Sequence, residues 1–170
     1  MKNKKYKFPS ESETIKTEVV CPTDTNPMGM LKGGQLILWM DMAAAGCAQI
    51  HSDMTCVTAA ISRANFIAFA ETGDIITIKA KLTRVFNTSM EVFANAFARK
   101  VKGSKNQLIC EVYFVFVSLD DKGNPINAPE LKPVTESEKK QFAGARHRRN
   151  KYSASKNMEP GVYKYEKKAN

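Results

Sequence analysis

Residues 33–50 decide how this chain folds: Gly33-Gly34-Gln35-Leu36-Ile37-Leu38-Trp39-Met40-Asp41-Met42-Ala43-Ala44-Ala45-Gly46-Cys47-Ala48-Gln49-Ile50. The alanines and unbranched side chains favour helix over strand. About 17 residues at ~1.5 Å each predict roughly 25 Å of helix. Being apolar nearly all the way round, such a helix needs cover on most of its sides. One carboxylate, Asp41, interrupts it.

Working outward, residues 14–20 read as a short strand, followed by a loop rich in turn residues: Pro22, Asp24, Asn26, Pro27 and Gly29. After the helix come four strand-like segments. Thr55 to Phe66 is rich in small and β-branched residues. Ile76, Ile78, Ala80 and Leu82 alternate with Thr77, Lys79, Lys81 and Thr83. Met90, Val92, Ala94, Ala96 and Ala98 alternate with Glu91, Phe93, Asn95, Phe97 and Arg99, and Leu108 to Leu119 is apolar on both faces. Gly73-Asp74, Asn87-Thr88-Ser89 and Gly103–Asn106 supply the turns.

Strands longer than the usual ~5–6 residues imply a strongly twisted sheet. A curved antiparallel sheet of about five strands can wrap one long central helix, which places the chain in the α+β class with the arrangement known as the hotdog fold. One helix cannot cover such a sheet, so pairing with a second copy is expected. Thr135-x-x-Glu138 reads as a capping box opening a short helix. The expected organisation is a basic N-terminal extension (1–13), a hotdog domain (14–134), a C-terminal basic helix (135–150) and a flexible tail (151–170).

The 170 residues carry a formal charge of +9, but residues 1–10 hold +4 and residues 136–170 hold +6, leaving 11–135 at −1. A nucleic-acid reader would need basic residues interleaved with aromatics on the folded body, and these are missing, so no nucleic-acid partner is expected. No stretch reaches the ~18–20 apolar residues of a membrane span, so no membrane partner is expected either. Ser10, Glu11, Ser12 and Glu13 stand where a signal peptide needs an apolar region, which predicts a cytoplasmic protein. Cys21, Cys47, Cys56 and Cys110 form no CxxC pair and read as buried free thiols. With only His51 and His147 as further ligands, no metal site is expected. His51, near the helix end, reads as a partner of the helix dipole.

Chemistry points first to Asp41. Its helical neighbours three and four positions away are Ile37, Leu38, Ala44 and Ala45, and a carboxylate among them is costly unless it has partners. A general base or nucleophile in a dry pocket fits that placement. Gly33-Gly34 at the helix start would let a ligand approach bare N–H groups with the helix dipole behind them, a setting suited to a carbonyl oxygen gaining charge. The sequence contains no G-x-S-x-G, no G-x-x-x-x-G-K-[ST] and no G-x-G-x-x-G.

Taken together, Asp24-Thr25-Asn26-Pro27-Met28-Gly29, Gly33-Gly34 and Trp39-Met40-Asp41-Met42-Ala43-Ala44 resemble the active-site region of hotdog-fold acyl-CoA thioesterases. Val57-Thr58-Ala59, Phe66, Gly73-Asp74, Thr88-Ser89-Met90-Glu91 and Phe114-x-Phe116-Val117 follow in that family's order. The resemblance implies hydrolysis of acyl-CoA to a free acid and CoA, with no cofactor beyond the CoA of the substrate. It implies that Asp41 activates water or attacks the thioester, that Asn26 reaches in from a partner protomer, and that Gly33 and Gly34 polarise the carbonyl. It further places CoA along Ala59, Ala60 and Ile61 and at Thr88, Ser89 and Met90. An arginine near the C-terminus, best matched by Arg148 with Arg146 and Arg149 beside it, would meet a CoA phosphate. A homodimer assembling into a trimer of dimers is implied as well. Two departures bear on acyl specificity: Lys32 stands where relatives usually carry Phe or His, and Asn65-Phe66-Ile67-Ala68-Phe69 replaces a common Asp-Phe-x-His-Pro pattern. The rival expectation is a non-catalytic acyl-CoA sensor on the same fold.

Overall fold

The computed structural model describes residues 5–103 and 105–155, apart from the side chains of Arg63 and of residues 152–155. Its elements run in the order β1 (Tyr6–Lys7), a 3-10 turn (Pro9–Glu11), β2 (Thr14–Val19), a second 3-10 turn (Pro22–Asp24) and α1 (Gly33–Ser52). They continue with β3 (Thr55–Phe66), β4 (Ile75–Val85), β5 (Ser89–Arg99), β6 (Gln107–Leu119), β7 (Glu130–Leu131) and α2 (Glu136–Ser155). Five strands form one antiparallel sheet in the order β2-β4-β5-β6-β3, and β1 and β7 form a short parallel pair. The sheet curls around α1, which is the hotdog arrangement expected from the sequence.

The alternation along β4 and β5 builds the core directly. Ile76, Ile78, Ala80 and Leu82 are buried, as are Met90, Val92, Ala94, Ala96 and Ala98. From β6, Val112, Phe114 and Phe116 join them. On α1, Leu36, Met40, Ala43, Ala44, Cys47 and Ala48 face this layer, and the small residues let sheet and helix approach closely. A chain turn in the left-handed region at Asp53 (φ 56°) ends α1 and starts β3.

Full cover of α1 is not reached. Leu38 is 51% exposed and Met42 54%, a turn apart on one face of the helix. The sheet covers the opposite face only, so the expected burial on most sides does not hold within one chain. Ile61 on the edge strand β3 is also exposed.

The N-terminal residues fold back over the end of α1. Lys7 Nζ donates to the Ile50 carbonyl (2.8 Å) and pairs with Asp53 (2.7 Å). His51 is fully buried, with Nε2 donating to the Pro129 carbonyl at 2.9 Å and Ser12 Oγ lying 3.5 Å from Nδ1. Burial holds its pKa below the usual histidine value, so it is neutral near pH 7. It therefore ties three segments together rather than lending charge to the helix dipole. All four cysteines are free, but only Cys47 and Cys110 are buried; Cys56 is half-buried and Cys21 exposed, against the expectation of buried thiols. Burial pushes the Cys47 thiol up to about 12, so it is inert.

The capping box forms: the Glu138 amide donates to Thr135 Oγ1 (3.2 Å) and the Thr135 amide to Glu138 Oε2 (3.0 Å). The helix it opens runs five residues beyond 150, and most of the expected tail, 156–170, lies outside the described residues. Burial alone would raise the Glu138 pKa, but the Thr135 and Val134 amides and Lys81 outweigh it and hold it at about 2. A carboxyl lowered in the folded state stabilises fully above its unfolded value and loses that contribution as pH falls toward the folded one. Glu138→Gln is expected to melt below wild type at pH 7, with the gap closing between pH ~4.5 and ~2. Thermal melts across that range check it.

Candidate active site

Asp41 lies in the third turn of α1, half-buried beside the uncovered stripe. Thr58 Oγ1, on β3, donates to Asp41 Oδ1 at 2.9 Å, and this is the carboxylate's one hydrogen bond among the described residues. The contact holds one carboxylate oxygen on a threonine that is itself exposed. One chain alone therefore does not enclose Asp41 in the dry pocket expected for it.

Gly33 and Gly34 open α1. The first intrahelical bond runs from the Leu36 amide to the Lys32 carbonyl, and no side chain caps this end. The amides ahead of Leu36 thus form the bare, electropositive end of the helix. At Gly33 an added Cβ would stand 3.2 Å from the Phe66 ring, so any side chain there displaces the ring; Gly34 faces open space. Lys32 turns away, donating to the Thr23 carbonyl at 2.8 Å.

Asn26 organises the loop before the helix. Its Oδ1 accepts from the amides of Met28 (3.0 Å) and Met30 (3.2 Å), and its backbone pairs with the Met30 carbonyl. Asn26 and Gly33 line one cavity of about 240 Å³ with Leu36, Phe66, Phe69 and Ile109. Phe66 and Phe69 are 54% and 78% exposed, so its rim is an apolar surface.

The structure therefore brings Asn26 and Gly33 together and Asp41 and Thr58 together, but keeps the two pairs apart. Asp41 stands eight positions beyond Gly33 on the helix, about 12 Å along the axis. Thr58 escaped sequence reasoning as a site residue, because a lone threonine in a strand carries no local signal; the α1–β3 turn is what places it opposite Asp41.

The residues assigned to CoA are distributed unevenly. Ala59, Ala60 and Ile61 lie on β3, where the pairing with β6 slips between Thr58 and Ala60. Thr88 and Ser89 line a second cavity of about 480 Å³, between the β4–β5 turn and α2. The Met90 side chain is fully buried in the core, so a ligand there would meet only its backbone. Arg148 is taken up by Glu91, while Arg146 and Arg149 line the cavity together with Arg84. Among the described residues no group of three or more His, Cys, Asp or Glu could hold a metal ion, and no helix is long and apolar enough to cross a membrane.

A curled sheet around one helix, with a carboxylate halfway along it and bare amides at its start, defines a thioesterase-type hotdog. The thioesterase superfamily matches residues 28–104. An acyl-CoA thioester hydrolase of Bacillus subtilis is 31% identical over 138 residues, covering 81% of this chain and 80% of the relative. The acyl-CoA hydrolase of Staphylococcus aureus, solved with butyryl-CoA, CoA and CoA disulfide, is 33% identical with a TM-score of 0.83, covering 88% of this chain and 92% of that one. An apo-hexameric acyl-CoA thioesterase is 29% identical with a TM-score of 0.87, covering 91% and 99%. The chain spans about a quarter of the length of mouse acyl-coenzyme A thioesterase 11, which it matches at 32% identity over 85% of its own residues. The chain belongs to the hotdog-fold acyl-CoA thioesterases.

Asn26→Ala is expected to free the Met28 and Met30 amides and cost about 1–2 kcal/mol of stability, while Asn26→Asp, which keeps the acceptor, costs less. Hydrogen exchange at those two amides, with denaturant melts, tests this.

Proposed function

We propose that this chain is an acyl-CoA thioesterase whose active site is completed between two copies. One observation carries the reading: Asp41, which Thr58 of β3 holds, and Gly33, which shares a cavity with Asn26 of the preceding loop, lie about 12 Å apart along a single helix. They can act on one thioester only if they come from different chains. The exposed Leu38, Met42 and Ile61 beside Asp41, and the unpaired long edge of β3, supply an apolar surface for a two-fold partner. The hexameric relative supports a trimer of such dimers.

Alanine variants of the S. aureus hydrolase support the residue assignment. They replace an asparagine, an aspartate and a threonine spaced 15 and 17 positions apart, the spacing of Asn26, Asp41 and Thr58 here.

In the proposed reaction Asp41, oriented by Thr58, takes a proton from water as it adds to the thioester carbonyl, or attacks that carbonyl itself. The partner's bare amides at the start of α1 stabilise the negative charge that develops on the carbonyl oxygen, with the helix dipole behind them. Collapse expels the CoA thiolate: after attack by water it leaves the free acid directly, and after attack by Asp41 it leaves a mixed anhydride on Asp41 that water then hydrolyses to the free acid. The chain's own residues carry every step, and CoA enters as part of the substrate. The relatives named as cytosolic hydrolases support a cytoplasmic location.

CoA release from a panel of acyl-CoAs tests the reading. Asp41→Asn is expected to lose at least ~100-fold in kcat, and Thr58→Ala about 10-fold or more, both with wild-type melting behaviour. A protein that binds CoA but hydrolyses nothing would instead be the acyl-CoA sensor. Full activity in Asp41→Asn would overturn the mechanism. Leu38→Asp, at an exposed position, is expected to give a folded monomer by light scattering that has lost CoA release; an active monomer would overturn the shared site.

A further inference from the structure

The cavity of about 240 Å³ at the start of α1 is chemically one-sided. Among the described residues its lining holds no titratable side chain, and Asn26 is its one polar one. Asn26 Oδ1 is already occupied by the Met28 and Met30 amides. Apolar side chains make up the rest, and Gly33, Ala68 and Ala70 leave the space that larger ones would fill.

One wall is the segment that follows β3. The Ile67 amide donates to the Ile109 carbonyl (2.8 Å) and the Leu31 amide to the Ala70 carbonyl (2.8 Å), which ties residues 66–70 between β6 and the loop that carries Asn26. Phe66 lies against Gly33, where an added Cβ would stand 3.2 Å from its ring. Phe69 lines the same cavity while 78% exposed, so its ring stands at the rim. Both larger departures of this stretch from the common Asp-Phe-x-His-Pro pattern fall on the lining, Ala68 in the place of His and Phe69 in the place of Pro. The exchange takes a polar ring out of the wall and adds an apolar one at the rim.

In a thioester the carbonyl oxygen and the first carbon of the acyl chain are bonded to the same atom. A substrate whose oxygen sits at the bare amides of Gly33 and Gly34 therefore begins its acyl chain beside Gly33, which is part of this lining. An apolar void of about 150 Å³ accepts a six-carbon ring. One of about 240 Å³ then admits roughly six to ten carbons. A carboxylate or hydroxyl carried on that chain would be buried without a partner, at a cost.

We propose that this cavity takes an unsubstituted hydrocarbon acyl chain of about six to ten carbons, and that Ala68 and Phe69 set the accepted length and polarity. The inference rests on the acyl-CoA reading and deepens it by naming the acyl class.

Calorimetric binding of S-alkyl-CoA thioethers, which have no carbonyl to attack, tests it without turnover. Affinity is expected to rise about threefold to fourfold per methylene and to level off beyond about ten carbons. Ala68→Leu puts three more carbons into the space and is expected to end the rise about three carbons earlier, with the affinity for CoA itself unchanged. Phe69→Ser, at an exposed position, is expected to weaken binding of the octyl thioether about fivefold, again without effect on CoA. The 5-carboxypentyl thioether ends in a carboxylate where the hexyl thioether ends in a methyl, and is expected to bind at least ~tenfold more weakly. An affinity independent of chain length, an Ala68→Leu profile identical to wild type, or equal binding of the carboxylate probe would each overturn the proposal. The two readings fail separately. A protein that shows the rise with chain length but hydrolyses no acyl-CoA supports the acyl cavity while refuting the thioesterase, whereas an active enzyme with a flat profile refutes the cavity assignment alone.

Discussion

Covering α1 is the constraint on which the rest depends. A helix this apolar needs a surface wrapped around it, and β4, β5 and β6 provide one by alternating small and large inward residues along eleven to thirteen positions. Ala43, Ala44, Cys47 and Ala48 keep the helix thin where Ile76, Ile78, Phe114 and Phe116 close in. A single curled sheet reaches only part of the way round. Asp41 falls at the boundary between the covered and uncovered faces, the place where a carboxylate can be held by packing and still meet a reactant.

Features written in long local patterns were legible in the sequence. The helix, the four long strands and the cap at Thr135 and Glu138 each rest on periodicity or spacing within one segment, and they appear within a few residues of where those signals put them. The parallel pairing of Tyr6–Lys7 with Glu130–Leu131 joins segments more than a hundred residues apart through two residues each, so neither segment carries a signal of its own. The same limit governs the site. Asp41 stands out as a lone carboxylate in an apolar helix and Asn26 only through the family resemblance of its loop, whereas Thr58 meets Asp41 only through the turn that lays β3 against α1. Met90 shows the opposite case: the alternation already places it with Val92 and Ala94, and the structure keeps it in the core.

The arginines near the C-terminus make the point sharply. Three basic residues within four positions of one helix point in different directions, and which one reaches a given partner depends on how the helix is rotated. Glu91, on a strand 57 positions earlier, settles that rotation by capturing Arg148. Part of the positive charge at the two ends of the chain is thus spent on architecture: Lys7 closes the end of α1 and Arg148 anchors α2.

The 12 Å between Gly33 and Asp41 has a genetic corollary. In a two-fold pair sharing its chemistry across the junction, one chain lends its carboxylate to one centre and its amides to the other. A copy damaged at Asp41 and a copy damaged at Asn26 are then each inert with themselves, yet a mixed pair holds one centre with both lesions and one with none. Two null alleles of this gene would complement one another, up to half the normal output per pair, whereas two alleles altered at the same residue would not.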